Sequence, residues 1–276
     1  MNLGHDRMHL LARYEVSRML SIRLRNFVRK GGALVFGRLP HVHRIPFGPN
    51  KGFKIFTCFD ISPRMYFGIA EPWIAALVEQ YAKSGDIVYD IGAHIGYTSL
   101  LFRRSVGETG RVHAFEILPS VAKTFFQRTM EENGFSNVIV HSVGLSNEEQ
   151  TIQLSMNDTR MAQLSGDNSS QSRSEQCRTV RLDEFISRQG LPIPSLMKID
   201  IEGAEVDCLM GALDTIKARR PVLIVEFHSL DLLRRGHSLL RSVGYELRTR
   251  HVEVDEEYLG RLTRFHESVL CAPRAT

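Results

Sequence analysis

Apolar and polar positions follow a regular alternation from residue 85 onward. Short apolar runs of strand length are separated by segments whose apolar positions recur at helical spacing. The strand-like runs are 86–91, 111–116, 137–145, 196–201, 221–228, 245–250 and 268–273. The helix-like segments are 97–104, 119–133, 204–218 and 230–243. Strands that alternate with helices pair in parallel, and these runs are apolar enough for burial on both faces. We expect an α/β fold, a doubly wound sheet of about seven strands with helices on both faces.

One segment, 146–183, breaks this alternation. Two strand-like pieces, 151–155 and 177–182, flank the polar stretch 157–176. The pattern predicts a hairpin insertion with a long loop. Two interpretations are open: a plain surface insertion, or a flap on the substrate side of the sheet, since long loops often carry function.

The N-terminal part differs from the rest in charge and in pattern. Residues 1–55 hold 11 of the 35 Lys and Arg residues but 2 of the 31 Asp and Glu residues. Residues 6–30 predict a basic amphipathic helix, and residues 37–54 predict a loop or short strands. We therefore divide the chain into a basic N-terminal extension, 1–55, and a main domain, 56–276, which carries the insertion.

Three interpretations of the basic helix are open. It packs on the main domain with a solvated basic face, or it forms a homodimer contact or a lid, or it contacts a membrane surface or an anionic substrate. We do not expect nucleic-acid binding, because aromatic residues do not interleave with the arginines and no nucleic-acid motif is visible.

The composition is that of an ordinary globular protein. Of the 276 residues, 43% are hydrophobic and 24% are charged. No apolar run approaches the ~20 residues that span a bilayer, and the first residues lack the apolar core of a signal peptide. The four cysteines form no Cys-x-x-Cys pair, so we expect free thiols rather than disulfides or a zinc site. We expect a cytoplasmic location, peripheral to a membrane if the basic helix binds one.

A glycine-rich turn follows the first strand of the repeating pattern, in the sequence VYDIGAHIGYTS (88–99). Asp90 ends the strand, and Gly92 and Gly96 shape the turn. Glu116, 20 positions after Gly96, ends the next strand. This order is typical of a doubly wound nucleotide-binding site. The simpler alternative is a tight turn that only caps a helix.

The side chains of the turn favour one cofactor over another. His94 stands where a dinucleotide site needs a glycine for close approach of the pyrophosphate. The Asp90 carboxylate would repel a pyrophosphate but suits a cation. S-Adenosylmethionine has a cationic amino group, a cationic sulfur and no phosphate, and Glu116 can accept hydrogen bonds from its ribose hydroxyls. The P-loop motif for phosphates does not occur. The turn therefore predicts an S-adenosylmethionine site.

A second polar cluster follows the fourth and fifth strands. Asp200 ends the fourth strand, and Glu226 and His228 end the fifth on one side of it. In a doubly wound sheet the end of the fourth strand lies beside the glycine turn, and the end of the fifth lies one strand further along the same edge. Three roles are open: Asp200 or His228 deprotonates a substrate hydroxyl, the trio binds a divalent metal, or the acids cap helices. No residue is assigned to a metal. Lys198 is expected to pair with a nearby acid.

From about residue 66 to residue 273 the chain resembles the FkbM-type S-adenosylmethionine-dependent methyltransferases. The segments that carry the resemblance are FGIAEPW (67–73), GDIVYDIGAHIGYTSLLF (85–102), GRVHAFEILPS (110–120), NVIVHSVGLS (137–146), TVRLDEF (179–185), LMKIDIEGAEVDCLMGA (196–212) and PVLIVEFH (221–228). The two motifs D-I-G-A-x-I-G and K-I-D-x-E-G-A-E, in that order, are the part of the resemblance that is most specific to this family. The resemblance implies a Rossmann-like methyltransferase fold and methyl transfer, usually to an oxygen.

The resemblance also implies residues of the site. Asp90, Gly92, Gly96 and Glu116 would line the cofactor site, and Glu71 of the family's G-x-x-E segment would approach it. Asp200 and Glu202 match the second motif. The predicted cofactor-binding residues are Glu71, Asp90, Gly92, Ala93, Gly96, Glu116, Gly144 and Asp200. The predicted catalytic residues are Asp200, Glu226 and His228. His94 and Ile117 depart from the family's usual Asn and Pro, and the basic extension lies outside the resemblance.

We therefore predict an S-adenosylmethionine-dependent methyltransferase that methylates a hydroxyl on a small molecule, glycan or natural product. A non-catalytic cofactor-binding or scaffold protein and, less favoured, an NAD(P)-dependent oxidoreductase are the alternatives. The identity of the acceptor, the oligomeric state and a need for metal are left open by the sequence.

Overall fold

The structure, a computed structural model, describes residues 39–155 and 174–274. The strands in chain order are β1 (His41–Arg44), β2 (Lys54–Thr57), β3 (Ile87–Ile91), β4 (Arg111–Phe115), β5 (Val138–His141), β6 (Gly144–Leu145), β7 (Gln150–Ser155), β8 (Ser174–Val180), β9 (Leu196–Ile199), β10 (Val222–Phe227), β11 (Tyr245–Arg248) and β12 (Glu267–Pro273).

Two helices precede β3, and the others lie among the later strands. They are α1 (Pro63–Phe67), α2 (Pro72–Tyr81), α3 (Tyr97–Val106), a π-helix (Val121–Phe126) that runs into α4 (Gln127–Glu132), α5 (Leu182–Gln189), α6 (Glu205–Gly211), α7 (Leu213–Arg219), α8 (Leu230–Ser242) and α9 (Glu256–Arg261). Within the described residues, no helix is long and apolar enough to cross a membrane.

The central sheet has seven strands in the order β11-β12-β10-β9-β3-β4-β5. The strands β10, β9, β3, β4 and β5 pair in parallel, and β12 runs antiparallel to both β10 and β11. The chain moves outward from β3 to β5 and then returns to place β9 beside β3. This reversal confirms the predicted doubly wound sheet, and it opens a crevice where β3 and β9 end.

Two hydrophobic cores cover the two faces of this sheet. One face, with Val88 and Val112, packs against α2, α3 and the π-helix. The other face, with Tyr89 and Phe115, packs against α5, α6, α7 and α8. Because neighbouring strand residues point to opposite faces, most positions of the central strands are apolar, with exceptions such as Asp90, His113 and Lys198. The predicted cover of helices on both faces is confirmed.

The prediction of one strand over 137–145 was wrong. The segment divides into β5, in the central sheet, and β6, which joins β8 and β7 in a separate three-stranded sheet. β6 pairs in parallel with β8 through Gly144 and Leu145. The antiparallel pairing of β7 with β8 confirms the predicted hairpin insertion. Most of its polar stretch lies outside the described residues.

The prediction of one continuous helix over 204–218 was also wrong. The helix breaks at Ala212, whose φ of −109° and ψ of 7° separate α6 from α7. Gly211, the last residue of α6, packs tightly, because an added Cβ would lie 2.0 Å from the Ser146 carbonyl oxygen. This close approach to the insertion accompanies the break.

The described part of the N-terminal extension forms an antiparallel pair, β1 with β2. Hydrogen bonds join this pair to α4 and the residue that follows it. The Phe56 N–H donates to the Thr129 hydroxyl at 3.0 Å, and the Lys54 N–H donates to Asn133 Oδ1 at 2.8 Å. The short strands expected in 37–54 are thus present. The domain boundary proposed at residue 55 falls within β2, and the predicted basic helix lies outside the described residues.

Candidate active site

The candidate site lies where the ends of β3 and β9 meet. Asp90 pairs in register with Lys198 across these strands, and the Asp200 N–H donates to the Ile91 carbonyl oxygen at 3.0 Å. A Cβ added to Gly92 would fall 1.8 Å from the Asp200 carbonyl oxygen. The glycine turn is therefore in direct backbone contact with the second polar cluster, as the topology predicts.

The turn between Gly92 and Gly96 is held by the adjacent strand. The N–H groups of Gly92 and Ala93 both donate to the Phe115 carbonyl oxygen, at 2.9 and 3.0 Å. Gly96 has a φ of 91° where α3 begins, and a Cβ there would lie 2.7 Å from Met130 Cε. The turn therefore requires a glycine at each of its two ends, because a side chain at either position would clash with neighbouring atoms.

Glu116 fastens the turn from the end of β4. Its Oε2 accepts from the His94 N–H at 2.8 Å, and its Oε1 accepts from the Leu118 N–H at 2.9 Å. Burial raises the pKa of Glu116, and these two N–H donors oppose that effect. Each carboxylate oxygen retains a lone pair for a further donor. Glu116 can therefore hold the turn and accept hydrogen bonds from a ligand.

A buried charge group lies beneath the turn. Lys198 Nζ lies 2.9 Å from Asp200 Oδ2 and 4.0 Å from Asp90 Oδ1, so the expected pairing of Lys198 with an acid is present. The Ser99 hydroxyl donates to Asp90 Oδ2 at 2.5 Å. Burial raises the pKa of Asp90. Burial acts in the same direction on Asp200, but the charge and hydrogen bond of Lys198, together with His228 and His94, outweigh it and place the pKa of Asp200 below its ordinary value.

His228 lies between carboxylates on the open side of Asp200. Its Nδ1 is 2.7 Å from Glu205 Oε1, and its Nε2 is 3.4 Å from Glu202 Oε2 and 3.6 Å from Asp200 Oδ1. The hydrogen bond with Glu205 raises the pKa of His228 to about 9, against the opposing effect of burial. The ring is thus fixed at one nitrogen by Glu205, which is fully buried, and its other nitrogen faces the crevice.

Glu226 and His228 lie close together, as the alternation along β10 predicts, and a second histidine joins them. Glu226 Oε1 is 3.2 Å from His266 Nε2, and Glu226 Oε2 accepts from the Ser268 hydroxyl at 3.2 Å. The rings of His228 and His266 are 4.6 Å apart between centroids. Sequence reasoning missed His266, because only the antiparallel pairing of Glu226 with Ser268 brings it to this edge.

Glu71 belongs to the same charged region. It precedes α2 in a left-handed conformation with a φ of 50°. Burial lowers the pKa of Lys198, but the nearby carboxylates raise it by more. The largest of these effects come from Asp200 and Asp90, and the charge of Glu71 adds to them. Burial raises the pKa of Glu226, and the charges of Asp200 and Glu71 raise it further.

Close packing requires a glycine at position 144. It lies in β6, and an added Cβ would be 2.5 Å from Ile117 Cδ1. A contact between Gly144 and a cofactor would therefore involve its backbone. Its predicted role in cofactor binding stays a prediction.

The charge of the site favours a cationic ligand. Four carboxylates lie in and around the turn, and Lys198 is fully buried among them. The carboxylates are those of Glu71, Asp90, Glu116 and Asp200. Within the described part of the chain, Asp90 Oδ1 is buried without a hydrogen-bond partner. Such an environment disfavours a pyrophosphate and suits the ammonium and sulfonium groups of the predicted methyl donor.

A comparison with protein families agrees with the sequence resemblance. The model of the methyltransferase FkbM domain matches residues 90–247, which is more than half of the chain. The match contains the glycine turn, Glu116, Asp200 and the Glu226–His228 pair.

Two curated relatives are also methyltransferases by name. Methyltransferase 1 of Beauveria bassiana is 30% identical over 186 residues, which cover 59% of this chain and 65% of the relative. Hexuronic acid methyltransferase AglP of Haloferax volcanii is 26% identical over 161 residues, which cover 56% of this chain and 62% of the relative. The chain thus spans less than two thirds of the length of each.

Among solved structures, the methyltransferase FkbM from Methylobacillus flagellatus matches with a TM-score of 0.46 at 20% sequence identity. The match covers 78% of this chain and 53% of that protein.

Proposed function

Because this chain belongs to the FkbM methyltransferase family, we propose that it transfers the methyl group of S-adenosylmethionine to a hydroxyl oxygen of a small-molecule or glycan acceptor. S-Adenosylmethionine is the cofactor that family membership supports, and the site's charge fits it. The observation that supports the proposal is the contact between Gly92 of the glycine turn and the Asp200 backbone carbonyl, from which we infer that the Asp200 carboxylate lies beside the cofactor position.

The glycine turn and two acids would hold the cofactor. The Gly92–Gly96 turn would lie against the cofactor, and Glu116, which accepts from the His94 and Leu118 N–H groups, would offer its remaining lone pairs to ribose hydroxyls. Asp90 is fully buried behind the turn, where it contacts Lys198 and accepts a hydrogen bond from Ser99. When bound, S-adenosylmethionine supplies an electrophilic methyl group whose bond to sulfur breaks as the acceptor oxygen attacks.

Asp200 would orient the acceptor and receive its proton. Lys198 fixes Asp200 Oδ2, while the side chain keeps 27% of its surface exposed toward the crevice. A hydroxyl bonded to this carboxylate would lie next to the turn and could pass its proton to Asp200 during transfer. Glu226 and His228 would form the adjoining wall of the acceptor site.

Two observations favour an oxygen on a small molecule or sugar. An anionic, proton-accepting wall suits a neutral hydroxyl that must lose a proton when it is methylated. The Haloferax volcanii relative is named for a hexuronic acid, a hydroxyl-rich sugar acid. Uronic acid glycosides and neutral glycosides are therefore the first acceptors to assay.

The test is to compare wild type with Asp200→Asn, using S-adenosylmethionine labelled in its methyl group and the panel of glycosides. The amide keeps the shape of the side chain but cannot accept a proton. We expect methyl transfer to fall about 100-fold or more, which exceeds any weakening of S-adenosylmethionine binding measured by calorimetry on the same variant.

The matched control is Asp231→Asn, which alters an aspartate that is 76% exposed on α8 and pairs with Arg235. It should transfer methyl groups like wild type. Unchanged transfer by the Asp200→Asn variant would contradict the role proposed for Asp200, and label on nitrogen or carbon of the product would contradict O-methylation.

A further inference from the structure

We propose that Glu226, His228 and His266 bind one divalent transition-metal ion at the edge of the crevice. One carboxylate oxygen of Glu226 and one ring nitrogen of each histidine all lie within 4.8 Å of one another. The three residues come from the end of β10 and from the segment just before β12. The antiparallel pairing of these two strands brings them together.

The distances suit ligands of a single ion. Metal bonds to imidazole nitrogen and carboxylate oxygen are about 2.1 Å long, so adjacent ligand atoms lie about 3 Å apart and opposite ones about 4 Å apart. Glu226 Oε1 and His266 Nε2 are 3.2 Å apart. The cluster therefore needs only small side-chain rotations to close around an ion.

The orientation of His228 supports the same assignment. Glu205 Oε1 accepts from Nδ1 at 2.7 Å, and Glu205 is fully buried at the start of α6. This contact leaves Nε2 directed toward the crevice. A carboxylate that holds the outer ring nitrogen is a recurrent support for histidine ligands of metals, because it sets the tautomer and the ring direction.

The charge around the cluster also favours a cation. Asp200 Oδ1 and Glu202 Oε2 lie 3.6 and 3.4 Å from His228 Nε2, so two further carboxylates face the same point. Lys198 does not neutralise them fully, because it is shared between Asp200 and Asp90. A divalent ion would reduce the repulsion among these acids, and Asp200 could serve as a further ligand.

The donor set indicates the kind of metal. Two imidazole nitrogens and a carboxylate suit first-row transition ions such as Mn²⁺, Fe²⁺, Co²⁺ or Zn²⁺, whereas Mg²⁺ and Ca²⁺ prefer oxygen ligands alone. Three protein ligands leave coordination positions open on the crevice side.

The ion would have a direct use in the acceptor site. A hydroxyl that coordinates it would be held beside Asp200 and would lose its proton more easily. This activation of the acceptor hydroxyl rests on the proposed methyl transfer. Binding of the ion itself does not depend on that proposal.

The experiment is a metal titration of the untagged, chelator-treated chain. Free Mn²⁺ is followed by electron paramagnetic resonance, and Co²⁺ is followed by its visible absorption, which reports nitrogen ligands. We expect one ion per chain. The variants His266→Ala and Glu226→Gln should bind about tenfold or more weakly, and excess Mg²⁺ should not displace the ion.

Two matched controls lie outside the cluster. His251→Ala removes an exposed histidine, and Glu267→Gln alters the exposed acid next to His266. Both should bind like wild type. His266 is 60% exposed, so its replacement should leave the fold intact, and thermal unfolding checks this for each variant. No stoichiometric binding, or equal binding by cluster and control variants, would overturn the site.

S-Adenosylmethionine binding, measured on the same metal-free chain, separates this inference from the proposed function. Metal binding without cofactor binding would contradict the methyltransferase proposal alone. Cofactor binding without metal binding would overturn the metal site alone. Equal methyl transfer by the metal-free and metal-loaded chain would overturn the use of the ion in the acceptor site.

Discussion

At the scale of single residues, the site is organised around one buried cation. Lys198 lies between Asp90 and Asp200 in the middle of the sheet, with 4% of its side chain exposed. Burying a charge is unfavourable unless it is paired, and a buried pair becomes strongly destabilising when one partner is removed. Lys198 therefore links the stability of the fold to the position of Asp200.

Replacing Lys198 by Met should lower the free energy of unfolding by about 3–5 kcal/mol, because Asp90 then stays buried without an opposite charge beside it. Adding Asp90→Asn to this variant should restore part of the loss. Urea denaturation measures both. Lys217→Met, at an exposed position of α7, is the control and should be near neutral. An equal effect of the two lysine replacements would contradict the importance of the buried group.

Gly92 makes a second prediction at the residue scale. Gly92→Ala adds a methyl group 1.8 Å from the Asp200 carbonyl oxygen at a φ of 81°. Gly134→Ala has a similar φ of 68° but meets nothing within 4 Å. We expect Gly134→Ala to lose about 1–2 kcal/mol of stability from backbone strain alone, and Gly92→Ala to lose at least about 2 kcal/mol more from the clash. Chemical denaturation of both variants decides whether close packing, rather than the turn conformation, requires Gly92.

At the scale of elements, β4 and β5 carry a pair of histidines that is sensitive to acid. His113 Nδ1 and His141 Nε2 are 3.0 Å apart, and the rings are stacked. Burial lowers the pKa of each to about 4, with the neighbouring charges adding to the effect at His113. The folded pair is thus kept neutral where the unfolded chain, with a pKa near 6.5 for each histidine, takes up protons.

The stability that this pair contributes should be complete above about pH 6.5 and should be lost as the pH falls toward 4, because the unfolded state binds more protons in that range. His141→Phe keeps the aromatic packing and removes one of the two groups. We expect a smaller slope of unfolding free energy against pH between these values. His251→Gln, at an exposed position, should keep the wild-type slope, and an unchanged slope for His141→Phe would contradict the assignment.

The same elements show how far the sequence predicts the structure. Strands and helices with strong periodicity were predicted near their observed bounds, since each is decided by local burial. The division of 137–145 into β5 and β6 was not predicted, because β6 is defined by its pairing with β8, which lies about 35 positions later in the chain. The break at Ala212 and the arrival of His266 at the site likewise depend on contacts that are distant in sequence. The acids and glycines of the site were predictable because they sit at strand ends.

At the scale of the whole molecule, the doubly wound order joins two motifs that are about 110 residues apart in the chain. β3 and β9 are neighbours only because the chain reverses direction after β5. The main domain also carries an acidic crevice, while the extension holds 11 of the 35 Lys and Arg residues and 2 of the 31 Asp and Glu residues. The division of the chain into these two parts stays a prediction.

Removal of residues 1–38 tests whether this part of the extension is separate from the main domain. The described residues have their own cores on both faces of the sheet, so we expect the shortened chain to keep the unfolding midpoint and the S-adenosylmethionine affinity of the full chain. Calorimetry of both proteins provides the measurement. Loss of folding or of cofactor affinity would show that the extension completes the main domain.

The central claim is that the glycine turn binds S-adenosylmethionine beside Asp200. Isothermal titration of the full chain with S-adenosylmethionine, and separately with NAD and NADP, tests it most directly. We predict saturable binding of one S-adenosylmethionine per chain and no binding of either dinucleotide, because the carboxylates around the turn attract a cation and repel a pyrophosphate. Binding of NAD or NADP without S-adenosylmethionine would contradict both the cofactor assignment and the function built on it.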